Sequence, residues 1–260
     1  MPAEGEMPAN EIPVAAAEIL ARVRAQSPRV HCITNSVAQA FTANTLLAAG
    51  AVPSMTIAHD EVGGFVRHAN ALLINLGTFD AERQAASGAA IAAAQSAHLP
   101  WVLDPAFIDR SPSRADYAKA LTTRKPAVIR LNRAEYSALA GGEPEIDAVA
   151  AYARGHGAVI GITGATDFVT DGTHVVAIAN GHALMTKVTA LGCAESALVA
   201  ACLAVERDAW RACAAAVLIM GVAGEIAARR ARGPGSFAVE ILDALHGIDR
   251  HVLVGLAKVT

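Results

Sequence analysis

AVIRLNRAEYSALAG (127–141) holds a complete passage from strand to helix. AVIRL is a short apolar run of the kind that forms a buried strand. Asn132 follows it as a good helix N-cap, and Glu135 stands three residues on, where a carboxylate completes a capping box. The pattern predicts a helix over about 132–154. The same passage recurs along the chain. VHCIT (30–34), VPSMT (52–56), ALLINL (71–76), PWVLD (100–104) and AVIGIT (158–163) read as further buried strands. The segments near 36–48, 59–69, 80–97 and 113–123 read as the helices between them. Strands joined by connections of helix length form a mostly parallel sheet covered on both faces, an α/β fold. TDFVTDGTHVVAIAN differs, because two alternating runs meet at Asp171-Gly172, a hairpin signal. After residue 192 nearly all the chain is expected to be helix, with a break at RGPGSF (232–237). No repeat or linker divides the sequence. One domain over residues 13–260 is expected, behind a disordered tail of residues 1–12.

Composition narrows the function. The chain has 260 residues, 53% hydrophobic and 17% charged, which is enough to bury one large core. A formal net charge of -3 gives no electrostatic reason to expect nucleic acid or an anionic membrane as partner. Cys32, Cys193, Cys202 and Cys213 show no CxxC spacing, so neither a zinc site nor a disulfide framework is indicated. A reducing, cytoplasmic setting is expected. The opening MPAEGEMPANEIP lacks the basic and apolar regions of a secretory signal. No apolar run reaches the roughly 18 residues of a membrane span without a polar break. His31, His59, His68 and His182 have no metal-ligand spacing.

In such sheets, ligands bind beyond the carboxyl ends of the strands. The residues there are Thr34 and Asn35, Met55, Asn75 with Gly77 and Thr78, Asp104, Arg130 with Asn132, and Thr163 with Gly164. Their convergence marks a site. VTALGCAESALVAACLAV (188–205) adds Gly192 and Cys193 at the start of an alanine-rich helical run, and two readings stand open. One is loop-to-helix packing, since glycine permits close approach and free cysteine is often buried. The other is an anion site at a helix N-terminus, whose field would also favour a Cys193 thiolate as base or nucleophile. Asn132 and Glu135 are likewise either a helix cap or oxygen ligands for magnesium, with Arg130 holding a phosphate. Asp104 either starts a turn or binds a metal or hydroxyl. ITGATD (162–167) and NGH (180–182) suit phosphates or turn geometry alike. The absence of GxxxxGK[ST], GxGxxG and GxSxG argues against P-loop, Rossmann and α/β-hydrolase sites.

Taken together, VHCITNSVAQAFTANTLLAAGAVPSM, ALLINLGTF, VLDP, KPAVIRLNRAEYSALAG, GITGATDFVTDG, NGHALMTKVTALGC and GPGSF resemble the hydroxyethylthiazole kinase family, in that family's order. The similarity runs from about residue 29 to 240. It implies a ribokinase-like, three-layer α/β/α fold around a central, mainly parallel sheet. It also implies Mg-dependent transfer of the ATP γ-phosphate to 4-methyl-5-(2-hydroxyethyl)thiazole, a salvage step toward thiamine, in a homotrimer with active sites between subunits. Residue by residue, Met55, Ala190 and Asn35 fall at acceptor-binding positions. Arg130, Thr163 and Asn75 fall at ATP-binding positions, and Asp104, Glu135 and Asn132 at positions linked to the metal. Cys193 and Gly192 match the catalytic end of the family's TGxGC motif.

The chain also departs from that pattern. TGxGC reads TALGC, so Ala190 replaces the first glycine and Leu191 follows it. Leu131 stands where the family has a glycine, and AFIDR replaces a glycine-rich stretch after VLDP, bringing in Asp109 and Arg110. These changes leave two alternatives beside the thiazole kinase: a kinase of another small heterocyclic alcohol, or a catalytically weakened ligand-binding homologue.

Overall fold

A computed structural model describes residues 11–260; the first ten residues of the expected tail lie outside that range. The strands are β1 (Arg29–Ile33), β2 (Val52–Ser54), β3 (Ala71–Asn75), β4 (Trp101–Asp104), β5 (Val128–Asn132), β6 (Val159–Thr163), β7 (Asp167–Thr170) and β8 (Val175–Ile178). They form one eight-stranded sheet among the described residues, in the order β2-β1-β3-β4-β5-β6-β7-β8. Pairing is parallel from β2 through β6. β7 and β8 join antiparallel as the expected hairpin. The Asp171 carboxylate accepts the Thr173 and His174 N–H groups within its turn, the local bonding by which Asp favours turns.

Central strands are apolar on both faces because helices cover both. Val30, Cys32, Leu73, Val102 and Val128 meet α1 (Ile12–Gln26), α2 (Gln39–Ala49), α8 (Leu191–Leu203), α9 (Ala209–Arg230), α10 (Pro234–Gly247) and α11 (Arg250–Leu256). Ile33, Leu72, Ile74, Leu103, Ile129 and Ile160 meet α3 (Val62–Arg67), α4 (Ala81–Ser96), α5 (Pro112–Thr122), α6 (Arg133–Ala140) and α7 (Ile146–His156). This is the expected three-layer architecture. Among the described residues, α9 alone is long and apolar enough to cross a membrane. Here it is an interior helix packed by α1, α8 and α10.

Several boundaries differ from the sequence expectation. α1 was not expected, yet it begins at buried Ile12 with proline in its first turn, a position proline suits. The helix expected over 132–154 is two. α6 stops at Gly141, in the left-handed region at φ 80, and Pro144 follows before α7. A helix expected over 59–69 is the shorter α3. The run after residue 192 also breaks between α8 and α9, where Asp208 caps α9.

Candidate active site

The parallel register brings the strand-end residues together. The order of the sheet reverses between β1 and β3, the point where α/β sheets bind ligands. Asn35 lies just beyond β1 and Asn75 ends β3, so the two flank that point. The Asn35 amide donates to Asn75 Oδ1 at 3.2 Å. Asn75 pairs in register with Asp104 and donates to its Oδ2 at 2.6 Å. Ser196 donates to the same oxygen at 2.9 Å. Both asparagine amides also point at Cys193 Sγ, at 3.1 Å from Asn35 and 3.4 Å from Asn75. Gly77 leaves room for the pair, since a Cβ there would sit 2.7 Å from Asn35 Nδ2 and 2.9 Å from Asn75 Oδ1.

α8 lies across β1, β3 and β4, so its first turn reaches these strand ends. Ala190 is its N-cap residue at φ 70, a left-handed conformation that strains any side chain. A Cβ on Gly192 would meet Arg130 Nη1 at 2.9 Å. The missing side chain therefore admits the guanidinium of β5 against the helix start. Arg130 Nη2 donates to Glu195 in a buried ion pair. Burial disfavours the guanidinium's charge, but Glu195, Asp104 and Glu135 outweigh it and hold Arg130 protonated.

Burial raises the Asp104 carboxyl to about 6, with Glu135 adding to the rise and Arg130 opposing it. Asp167 is raised to about 7, by burial and then by Glu195, against the Gly164 N–H and Arg130. The expectation of a Cys193 thiolate is corrected. Burial first, and then the Asp104 carboxylate, push its thiol up to about 12, against Asn35, Arg130 and Asn75. A helix start carries only about half a unit charge, too little against desolvation and a full carboxylate.

Asn132 and Glu135 form the full capping box of α6, and Glu135 Oε1 also accepts the Phe107 N–H at 3.0 Å. Thr163 ends β6 in register with Asn132. Met55 lies one residue past the end of edge strand β2, half-buried against the α8-side core. Asn75, expected at an ATP-binding position, hydrogen-bonds across β1, β4 and α8 rather than with residues of β5 or β6. NGH holds the fold together: Asn180 donates to Glu225 and to the Leu256 carbonyl. In AFIDR, the Arg110 guanidinium lies 5.5 Å from the Phe107 ring centre, and Phe107 itself is at φ 64.

Sequence reasoning passed over Glu195, Ser196 and Asp167. The available signal was the polar pair Glu195-Ser196 inside an Ala, Val and Leu run. Both residues are buried, and buried Glu is rare unless paired.

The hydroxyethylthiazole kinase family profile matches residues 20–251. A probable hydroxyethylthiazole kinase of Agrobacterium fabrum (strain C58) is 43% identical over 244 residues, covering 94% of each chain. The solved structure of a hydroxyethylthiazole kinase protein from Pyrococcus horikoshii OT3 superposes with a TM-score of 0.90 at 37% identity, covering 94% of this chain and 98% of that one. A ribokinase-like superfamily protein from Enterococcus faecalis shares the fold, with a TM-score of 0.67 at 15% identity over 87% of this chain and 89% of its own.

Proposed function

The chain belongs to the hydroxyethylthiazole kinase family, and from that premise we propose how its residues divide the reaction. The enzyme transfers the γ-phosphoryl group of ATP to the hydroxyl of 4-methyl-5-(2-hydroxyethyl)thiazole, a salvage step toward thiamine. The acceptor oxygen bonds to the γ-phosphorus, the bond to the β-phosphate oxygen breaks, ADP leaves, and the hydroxyl proton is released to solvent. Such transfers depend mainly on positioning and on stabilising charge.

One observation carries the assignment. The Asn35–Asn75–Asp104 chain crosses the switch point directly beneath the first turn of α8, where Arg130 packs on Gly192. In this reading the acceptor lies toward β2 and β1, with Met55 against its ring, Asn35 beside its hydroxyl and the Ala190 backbone at its edge. The nucleotide lies toward β5 and β6, on Arg130 and Thr163. The N–H groups at Gly192 and Cys193 meet the moving phosphoryl charge. Cys193 enters as a thiol with two amides on its sulfur, lining the anion site rather than serving as a resting base. Asn75 orients Asp104 and Asn35.

Magnesium fits the donor set. Asp104 and Glu135 offer hard carboxylate oxygens, and burial together with the Glu135 charge raises Asp104 even beside Arg130, a rise that a cation there would oppose. Among the described residues no three His, Cys, Asp or Glu side chains gather as a ligand cluster. Mg2+ needs none, since it commonly binds through one or two carboxylates, waters and substrate phosphates. When bound, it neutralises phosphate charge. Asn132 supports Glu135 through the cap.

We also propose a homotrimer whose acceptor pocket is completed by a neighbour. Met55 stands at the sheet edge, and Leu47, Val52 and Phe65 are exposed on the elements around it. The four cysteines are free thiols, which supports a cytoplasmic setting.

The test is ADP release with Mg-ATP and the thiazole, beside a no-acceptor control and a panel of related heterocyclic alcohols. Turnover on the thiazole is expected. Activity on another alcohol alone would show a re-specialised pocket. Silence across the panel from folded protein would leave a ligand-binding homologue.

A further inference from the structure

We propose that Glu195 is a positioning residue for phosphoryl transfer. Its carboxylate holds the Arg130 guanidinium against the first turn of α8, in the orientation from which the arginine's other N–H groups meet the nucleotide's phosphates. The proposal rests on the reading of Arg130 as a nucleotide-binding group.

Packing does not account for Glu195. It lies in the first turns of a helix whose other buried residues are almost all Ala, Val or Leu. Its side chain is 6% exposed and that of Arg130 is 11% exposed. Bringing such a pair out of water roughly cancels its attraction, and apolar residues of similar volume often serve stability as well or better. A carboxylate here is better explained by what it does to the arginine.

The arginine has four carboxylates within electrostatic reach. Glu195, Asp104 and Glu135 act on its charge directly, and the charge of Arg130 in turn favours the ionised form of Asp167. Each is a competing partner for a guanidinium on a flexible stem. Glu195 alone of the four is hydrogen-bonded to it. The others are held elsewhere: Asp104 by Asn75 and Ser196, Glu135 by the N–H groups of Asn132 and Phe107, and Asp167 by the Gly164 N–H.

The ion pair occupies one of the three guanidinium nitrogens. Glu195 engages Nη2 and Nη1 lies over Gly192, while Nε is shielded from solvent and has no hydrogen-bond partner among the described residues. A planar fork fixed at one corner, beside the N–H groups of a helix start, is preorganised for phosphate oxygens. Across this contact, α8 and β5 fix the two halves of the anion site relative to each other.

Steady-state kinetics of the full chain with Mg-ATP and the thiazole test the proposal, using Glu195→Leu, Glu195→Gln and Arg130→Gln. Glu195→Leu is expected to raise the KM for ATP roughly tenfold or more, the scale of losing one partner of a buried charge pair. The KM for the thiazole should stay unchanged. Glu195→Gln still offers an oxygen to Nη2 and should restore the KM for ATP close to that of the parent. A merely structural role would lower thermal stability without this split between substrates. A folded Glu195→Leu protein with unaltered KM for ATP overturns the proposal, as does a Glu195→Gln protein as impaired as the leucine variant. If Glu195→Leu fails to fold, Glu195→Asp replaces it: the shorter carboxylate keeps the charge, falls short of Nη2 and should raise the KM for ATP. If Arg130→Gln leaves the KM for ATP unchanged, the nucleotide reading of Arg130 is what fails. If Arg130→Gln raises it and the Glu195 variants do not, only the positioning role fails.

Discussion

Cys193 shows how a side chain's chemistry depends on its surroundings. Its sulfur receives two amide donors, yet burial and Asp104 hold the thiol up to about 12. Iodoacetamide at pH 7.5 is therefore expected to leave the native protein unlabelled at Cys193. Rapid modification there, mapped by mass spectrometry, would show a thiolate instead. Ala190 makes a different prediction. A non-glycine residue in the left-handed region carries roughly 1–2 kcal/mol of strain, and Ala190 sits there at φ 70. Ala190→Gly should raise unfolding free energy by about 1 kcal/mol in urea titration, less than the full strain because glycine also gains freedom in the unfolded chain. The motif was readable as unusual from the letters TALGC. That the replaced position truly has positive φ was not.

At the scale of elements, two contacts help to hold the strand ends in place. The capping box joins β5 to α6, and Asn132→Ala should cost about 1 kcal/mol. Glu135→Gln should instead raise the Mg2+ concentration needed for half-maximal rate, because it removes a charged oxygen while an amide oxygen remains to accept the Asn132 N–H. Equal magnesium dependence in both proteins would count against the metal role of Glu135. The second contact joins β1 to β2. Buried His31 bonds the Ser54 hydroxyl at 2.8 Å and the Thr56 carbonyl at 3.1 Å, so it fixes the residues on either side of Met55. Burial lowers its imidazole to about 4, against the Thr56 carbonyl. An unfolded histidine titrates near 6.5, so between those values the unfolded chain binds more protons and stability falls as pH drops. His31→Gln should remove on the order of 2 kcal/mol of the stability difference between pH 7 and pH 5. An undiminished acid loss in that variant would assign it to other groups. Asp104, raised to about 6, acts oppositely: its contribution is greatest at low pH and is lost as pH rises through 6.

For the whole molecule, the edge strand β2 pairs on one side only among the described residues, and open edges are usually covered or protected. Light scattering is expected to give a mass three times that of the chain. A monomer that turns over the thiazole at full rate would rule out a shared pocket. Much of this architecture was legible beforehand. The apolar runs gave five of the strands to within a residue or two, and β2 by its first three residues, since a strand buried on both faces shows as an unbroken apolar stretch. α1 was missed because a Pro-rich, acidic opening masks the helical run that follows it. A single helix over 132–154 ignores the two breakers inside it, Gly141 and Pro144, and the chain splits there into α6 and α7.

The sequence by itself determined the strand–helix rhythm, the hairpin at Asp171-Gly172, the cap at Asn132 and the family. All of these are local signals, carried by neighbouring residues whatever the rest of the chain does. Only the tertiary structure decided that Gly192 makes room for Arg130, that Glu195 rather than Asp104, Glu135 or Asp167 takes the guanidinium, and that Cys193 stays a thiol. Each of those outcomes depends on α8 lying across the ends of β1, β3 and β4. Burial and electrostatic neighbours are set by that packing, between residues far apart in the chain, and no local pattern encodes them.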